Sequence, residues 1–277
     1  MLALVTCRAA LGLDTDLPLL QRELPEASVV AWDDPAVDWG ACSVAIVRST
    51  WDYHTRRDDF LRWARHVSDV STLWNPVDVI EWNTDKRYLA ELAGHGVPVV
   101  PTTFVADDGE TDPDEFVGDV VVKPSVGAGS NGVFRSRGDA TAASEHARRL
   151  LAHGLTVMVQ PYLADVETSG ETGLVYVGGA FSHAFRKSAI LAEPVEFEGD
   201  LMAVESSFPH LATDLERALG ERVVGLLPET AYARIDLLPM ADGPVLLELE
   251  LTEPSLFLHL DPGAAARAAA VFRNLAG

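Results

Sequence analysis

The chain has 277 residues, room for about two domains at roughly 150 residues each. Apolar residues make up 48% and charged residues 23%, proportions that allow a sizeable core and exclude wholesale disorder. Acids outnumber bases 42 to 21, and a net charge of −21 argues against nucleic acid or an anionic membrane as a partner, because repulsion from phosphate acts over the whole face.

No apolar run reaches the roughly 18 residues that a membrane helix needs. Residues 1–13 lack a basic leading region and carry Arg8 within their apolar stretch, unlike a signal peptide. The expectation is a cytoplasmic protein with Cys7 and Cys42 as buried reduced thiols, and a homodimer is the base-rate assembly. Only Lys86, Lys123 and Lys187 are lysines; the other bases are all arginine. Such a bias marks the three lysines as candidates for places that need a compact ammonium on a flexible stem.

In chain order, residues 2–6 read as a short strand, 14–24 as a helix with Leu17, Leu20 and Leu24 on one side, and 28–32 and 43–47 as further strands. Residues 57–67 form an amphipathic helix with Phe60, Trp63, Ala64 and Val67 on one stripe. Strands alternating with helices predict a parallel sheet, whose ligands lie beyond the carboxyl ends of the strands. That places Arg48, Ser49, Thr50, Trp51, Asp52 and Tyr53 at a ligand edge or, in the plainer reading, in a capped turn with an anchored tryptophan. Thr84 reads as the cap of a helix over 85–93, with Lys86 in its first turn.

Residues 119–123 read as a strand, 140–152 as a helix and 155–160 as a strand. Two strands, 172–177 and 180–186, flank the hairpin signal Gly178-Gly179. A helix over 211–227, strands 231–238 and 245–251, and an alanine-rich helix over 264–275 complete the series. Residues 107–115 read as an acidic, solvated loop.

Gly127-Ala128-Gly129-Ser130-Asn131-Gly132 matches G-x-G-x-x-G, but the dinucleotide fingerprint needs a helix after the loop. An alternating stretch, 133–137, follows instead, so the loop reads as a hairpin tip able to cover phosphates with backbone N–H groups. The kinase motifs, the Walker loop and the G-x-S-x-G elbow are all absent. Further on, Arg234 and Asp236 share one face of their strand, and Glu248 and Glu250 share one face of the next. If the connecting loop is odd-numbered, Asp236 lies opposite Glu248 and all four point the same way. Three clustered carboxylates need compensation, which a divalent cation bridging to nucleotide phosphates would supply; the plainer reading pairs each acid with an arginine.

Taken in order, Asn75-Pro76, Asp85-Lys86 with Leu89, Val97-Pro98 to Thr102, Val121-Val122-Lys123-Pro124, the glycine loop, Val159-Gln160-Pro161-Tyr162, Gly170-Glu171, Arg234-Ile235-Asp236 and Glu248-Leu249-Glu250 with Pro254 resemble the ATP-grasp superfamily in its glutathione-synthetase-like branch. The phrases at 48–53, 182–187 and 248–258 are similar to the subgroup that includes the O-ureido-serine cyclo-ligase of cycloserine biosynthesis. The resemblance implies an α/β fold: an N-terminal parallel α/β domain (1–80), a central lid lobe (81–160) and a C-terminal antiparallel-sheet lobe with a metal site (161–277). It implies an ADP-forming ligase that activates a small amino-acid-like carboxylate as an acyl phosphate and joins it to nitrogen, by ring closure within one molecule or by amide formation between two. An ATP-binding module without turnover is the third reading, and the intact acid set speaks against it.

By position, the resemblance puts Lys86 and Lys123 on the phosphates of ATP and Gly127, Gly129, Ser130 and Gly132 in the flap. Gln160, Tyr162 and Leu163 would meet adenine, and Glu171 the ribose. Asp236, Glu248 and Glu250 would hold two Mg²⁺ ions, with Mn²⁺ as an alternative. Arg234 and Lys187 or Arg186 would steady the transferred phosphate. Arg48, Ser49, Trp51, Asp52 and His183 fall on the substrate side. The branch usually has Asn at the position of Glu250, and the subgroup commonly has Arg near Met202.

Overall fold

The computed structural model describes residues 1–105, 116–129, 131–188 and 206–277. Ser130, Met202 and the whole acidic stretch over 107–115 lie outside the described residues.

The first sheet is wholly parallel. Strands β1 (Leu2–Thr6), β2 (Ala27–Ala31), β3 (Val44–Ser49) and β4 (Thr72–Trp74) lie in the order β2-β1-β3-β4. Side chains alternate between its faces. Leu4 and Ile46 pack against α1 (Leu17–Glu23) and α8 (Ala264–Leu275), while Val5 and Val47 pack against α2 (Arg57–Val70) through Phe60, Ala64 and Val67. Helix α1 is shorter than the spacing predicts. Asp14 accepts the Asp16 amide at 2.8 Å, a local turn that competes with helix, and Pro18 falls at the helix start.

The second sheet is antiparallel, with β5 (Thr103–Val105), β6 (Val120–Pro124), β7 (Phe134–Arg135) and β8 (Val157–Pro161) in the order β5-β8-β6-β7. Helix α5 (Ala140–Ala152), capped by Asp139, covers it through Ala143, Ala147 and Leu151. Val121 pairs with Arg135. The glycine loop is therefore the tip of a hairpin.

The third sheet is also antiparallel and runs β11-β10-β9-β12-β13, from β9 (Glu171–Val177), β10 (Ala180–Lys187), β11 (Ser207–His210), β12 (Tyr232–Leu238) and β13 (Val245–Glu250). Gly178 (φ 57°) and Gly179 (φ 76°) close the two-residue turn that both residues must enter with positive φ. A single turn, α6 (Val166–Ser169), leads into β9, and helix α7 (Asp214–Val224) starts later than predicted because Thr213 and Glu216 form a capping box there.

One expectation is corrected. There is no helix start at Thr84. Helix α3 (Val77–Asn83) precedes it, α4 (Tyr88–Gly94) follows, and Lys86 sits in the turn between them. Thr84 donates back to the Glu81 carbonyl at 3.0 Å, closing α3, while Asp85 accepts the Arg87 amide at 3.1 Å. Side-chain bonds of this kind hold the backbone in a turn at the expense of helix.

Candidate active site

A cleft of about 210 Å³ lies between the second and third sheets. The second sheet and its hairpin supply Lys123, Gln160, Gly127, Gly129 and Asn131; the third supplies Glu171, Lys187, Arg234, Asp236, Glu248 and Glu250. Lys86 enters from the α3–α4 turn and Trp51 from the chain beyond β3. The hairpin tip and the acidic strands, far apart in sequence, therefore share one space.

The register of the acids depends on a bulge. Leu238 pairs with Val245, so the loop between β12 and β13 has six residues, the even case that would set Leu247 opposite Asp236. An irregularity between Asp236 and Leu237 leaves Leu247 unpaired and restores Asp236↔Glu248 and Arg234↔Glu250. The same bulge lets Leu247 and Glu248, which are consecutive, both line the cleft.

Charges inside the cleft are interlocked. Lys187 Nζ is 2.9 Å from Asp236 Oδ2 and 3.5 Å from Glu171 Oε2. Arg234 donates to both oxygens of Asp236 at 2.9 Å and also pairs with Glu250. Burial works against the Asp236 charge, but Arg234 and Lys187 outweigh it and hold the carboxyl at about 2. Glu250 is pushed the other way, to about 7, by burial and by Glu248 and Asp236, with Arg234 only partly offsetting them.

Lys86 Nζ stands 3.1 Å from Glu248 Oε1 and donates to the Gly127 carbonyl at 2.6 Å, so one ammonium ties an acidic strand to the flap. Its turn is fixed by Asn83, which accepts the Leu251 amide and donates to the Leu249 carbonyl, each at 2.7 Å. Burial opposes the Lys86 charge, yet Glu248 and its neighbours keep it firmly protonated. Lys123 differs. Among the described residues it has no carboxylate within salt-bridge reach, and burial lowers its pKa.

The opposite end of the cleft is apolar. Val100, Val121, Leu163, Val166, Leu238 and Leu247 line it together with Gln160 and Tyr162. Gln160 donates to Thr102 Oγ1 at 2.9 Å, and Arg135 lies over the Tyr162 ring at 3.3 Å.

Arg48, Ser49, Asp52, His183, Arg186 and Gly132 do not line this cleft. Ser49 donates to Thr6, and Asp52 accepts from the Trp32 indole and pairs with Arg56. Arg186 donates to the Ser169 carbonyl and pairs with Glu216. Gly132 is a packing glycine, since a Cβ there would stand 3.1 Å from Pro124. Arg48, Trp51 and His183 share another task. They bond the carbonyls of Pro254 (2.7 Å), Glu253 (3.1 Å) and Leu256 (2.8 Å), while Asp16 accepts the Leu256 and Leu258 amides. The loop 253–258 is thereby pinned, and Phe257 is held at φ 49°. Glu253, Ser255 and Phe257 line the cleft although the sequence reading did not select them; the only signal was their place in the 248–258 phrase.

Asp236, Glu248 and Glu250 suit Mg²⁺ in kind, being oxygen donors only. Each acid is turned toward a lysine or arginine, and among the described residues no three His, Cys, Asp or Glu side chains gather about one point.

Comparison with known proteins gives a consistent picture. The family described as D-cycloserine synthetase DcsG, N-terminal domain, matches residues 2–75. The cycloserine biosynthesis protein DcsG of Streptomyces lavendulae is 37% identical over 288 residues, covering 96% of both chains. The crystal structure of D-cycloserine synthetase DcsG superposes with a TM-score of 0.89 at 35% identity, over 100% of this chain and 99% of that one. At the level of fold alone, the ATP complex of D-alanine–D-alanine ligase from Bacillus anthracis matches with a TM-score of 0.66 at 13% identity, over 99% and 96% of the two chains.

Proposed function

The chain belongs to the D-cycloserine synthetase family of ATP-grasp ligases, and from that premise we propose that its cleft binds ATP beside an O-ureido-serine-like amino acid and closes the substrate on itself. The substrate carboxylate takes the γ-phosphate, ADP leaves, and the substrate's own nitrogen then attacks the acyl carbon and expels phosphate. The observation that carries this reading is the convergence of the flap, all three lysines and three carboxylates on one cleft.

The apolar end accepts adenine, with Gln160, Tyr162 and Leu163 along it, and Glu171 receives the ribose. Lys86 and Lys123 neutralise the phosphates under the N–H groups of Gly127 and Gly129. Lys123, with no carboxylate of its own among the described residues, is ready to meet an anion. Arg234 and Lys187 steady the transferred phosphate, since phosphoryl transfer asks chiefly for positioning and charge neutralisation. Asp236, Glu248 and Glu250 would hold Mg²⁺, which lowers the charge on the transferring phosphate when bound. The flap shields the acyl phosphate from water.

The test is phosphate release with ATP, Mg²⁺ and a panel of amino acids that includes O-ureido-serine, with mass spectrometry of the product. The expected result is release with O-ureido-serine alone and a product that has gained no second amine. ATP protecting the fold against heat with no release from any amino acid would overturn it.

A further inference from the structure

We infer that Glu253 is the anchor for the amino group of the amino-acid substrate, an inference that rests on the reading of the cleft above and adds a binding group to it. Glu253 follows β13, is 9% exposed and lines the cleft with Trp51, Ser255 and Phe257. Among the described residues its carboxylate has no hydrogen-bond partner, whereas Asp236, Glu248 and Glu250 each face a lysine or arginine of the chain.

A buried anion without a partner is costly, and the cost is larger beside other anions. Burial, then Glu250 and Glu248, hold the Glu253 carboxyl well above the usual carboxylate range, with the more distant charges of Lys86 and Arg234 only partly offsetting them. The side chain cannot swing out to solvent cheaply, because the backbone beneath it is fixed. Trp51 holds its own carbonyl, Arg48 that of Pro254 and Arg234 that of Ser255, and Asp16 takes the amides of Leu256 and Leu258. Loops pinned at almost every peptide fit a group that must be pre-positioned for recognition.

What Glu253 lacks is a cation that also donates hydrogen bonds. A hydrated Mg²⁺ keeps several waters and wants further oxygens, while Trp51 and Phe257 offer aromatic walls. A primary ammonium on a short carbon chain fits a carboxylate set among aromatic faces. The enzyme then selects amino acids over otherwise identical acids that lack the amine.

The experiment compares O-ureido-serine with 3-(ureidooxy)propionate, which keeps the carboxylate and the ureido group but has no amine. Phosphate release is measured for the wild type and Glu253→Gln, with melting temperature as the check on folding. The expected result is a wild-type KM about 10- to 100-fold lower for the amine-bearing compound, as a charged hydrogen bond gives. Glu253→Gln raises that KM by a similar factor and leaves the KM for ATP, the Mg²⁺ half-saturation and the KM for the analogue unchanged. Equal wild-type KM values for the two compounds would overturn the inference, even if the variant did not fold. So would a variant that shifts Mg²⁺ dependence or affects both compounds alike. No release from the wild type with O-ureido-serine would overturn the proposed function itself.

Discussion

The Tyr88 hydroxyl donates to the Leu249 carbonyl at 2.8 Å and accepts the Leu249 amide at 3.0 Å, so one side chain bonds the outer edge of β13 as a neighbouring strand would. With Asn83 on Leu249 and Leu251, it blunts an edge that carries Glu248 and Glu250 on either side of Leu249. Tyr88→Phe is expected to cost about 1–2 kcal/mol and Asn83→Ala about 2–4 kcal/mol in urea unfolding, since each strands buried backbone groups. Both should also weaken Mg²⁺-dependent ATP binding. Unchanged affinity in a destabilised Asn83→Ala protein would show that the edge contacts do not set the carboxylates.

Lys86 and Lys123 should separate in their effect on stability. Both Met variants are expected to raise the ATP Kd at least about 100-fold, as loss of a buried charged contact would. Lys86→Met leaves Glu248 facing the cleft without its cation and should lower the nucleotide-free stability by about 1–3 kcal/mol. Lys123→Met removes a buried charge with no carboxylate partner among the described residues and should leave stability equal or higher. Calorimetric titration and thermal melting read the two quantities independently.

Glu250 gives a pH signature. Its folded value, about 7, lies above the ordinary 4.5, so the fold disfavours the charged form. Stability is therefore lost as pH rises from about 4.5 through 7. Glu250→Gln should melt higher than the wild type at pH 8 in the absence of nucleotide and metal, with the gap closing toward pH 4.5. A gap independent of pH would contradict the assignment.

His183 works in the opposite direction. Burial lowers its pKa below 6.5, and its Nε2 is bonded to the Leu256 carbonyl in the pinned loop. The stability it supports is present above pH 6.5 and is lost as pH falls below that value. His183→Gln should flatten the acid side of the melting profile relative to the wild type. An identical slope in the variant would assign the loss to other groups.

Much of this site can be read from the chain. The strand and helix patterns over residues 1–75, the tight turn at Gly178-Gly179 and the acid alternation on β12 and β13 are local patterns, and local backbone preferences set them. The turn at Lys86 reads as a helix start because Asp85 and Thr84 have side chains that can cap a helix or close a turn, and only their partners show which. Arg48 follows the third predicted strand and His183 stands beside the Gly178-Gly179 hairpin, which is why both read as substrate-side residues. Their partners are backbone carbonyls about 200 and 70 residues away, which no local pattern reveals.

The sequence by itself determined most of the element types, the three scarce lysines and the set of acids, because composition and periodicity are properties of short stretches. Tertiary structure alone decided that Asp236 faces Glu248 through a bulge, that Lys86 joins Glu248 to the flap, and that Glu253 stands in the cleft without a partner among the described residues. Those relations depend on register and on long-range hydrogen bonds, where one extra residue reverses a face and one buried partner changes the meaning of a charge.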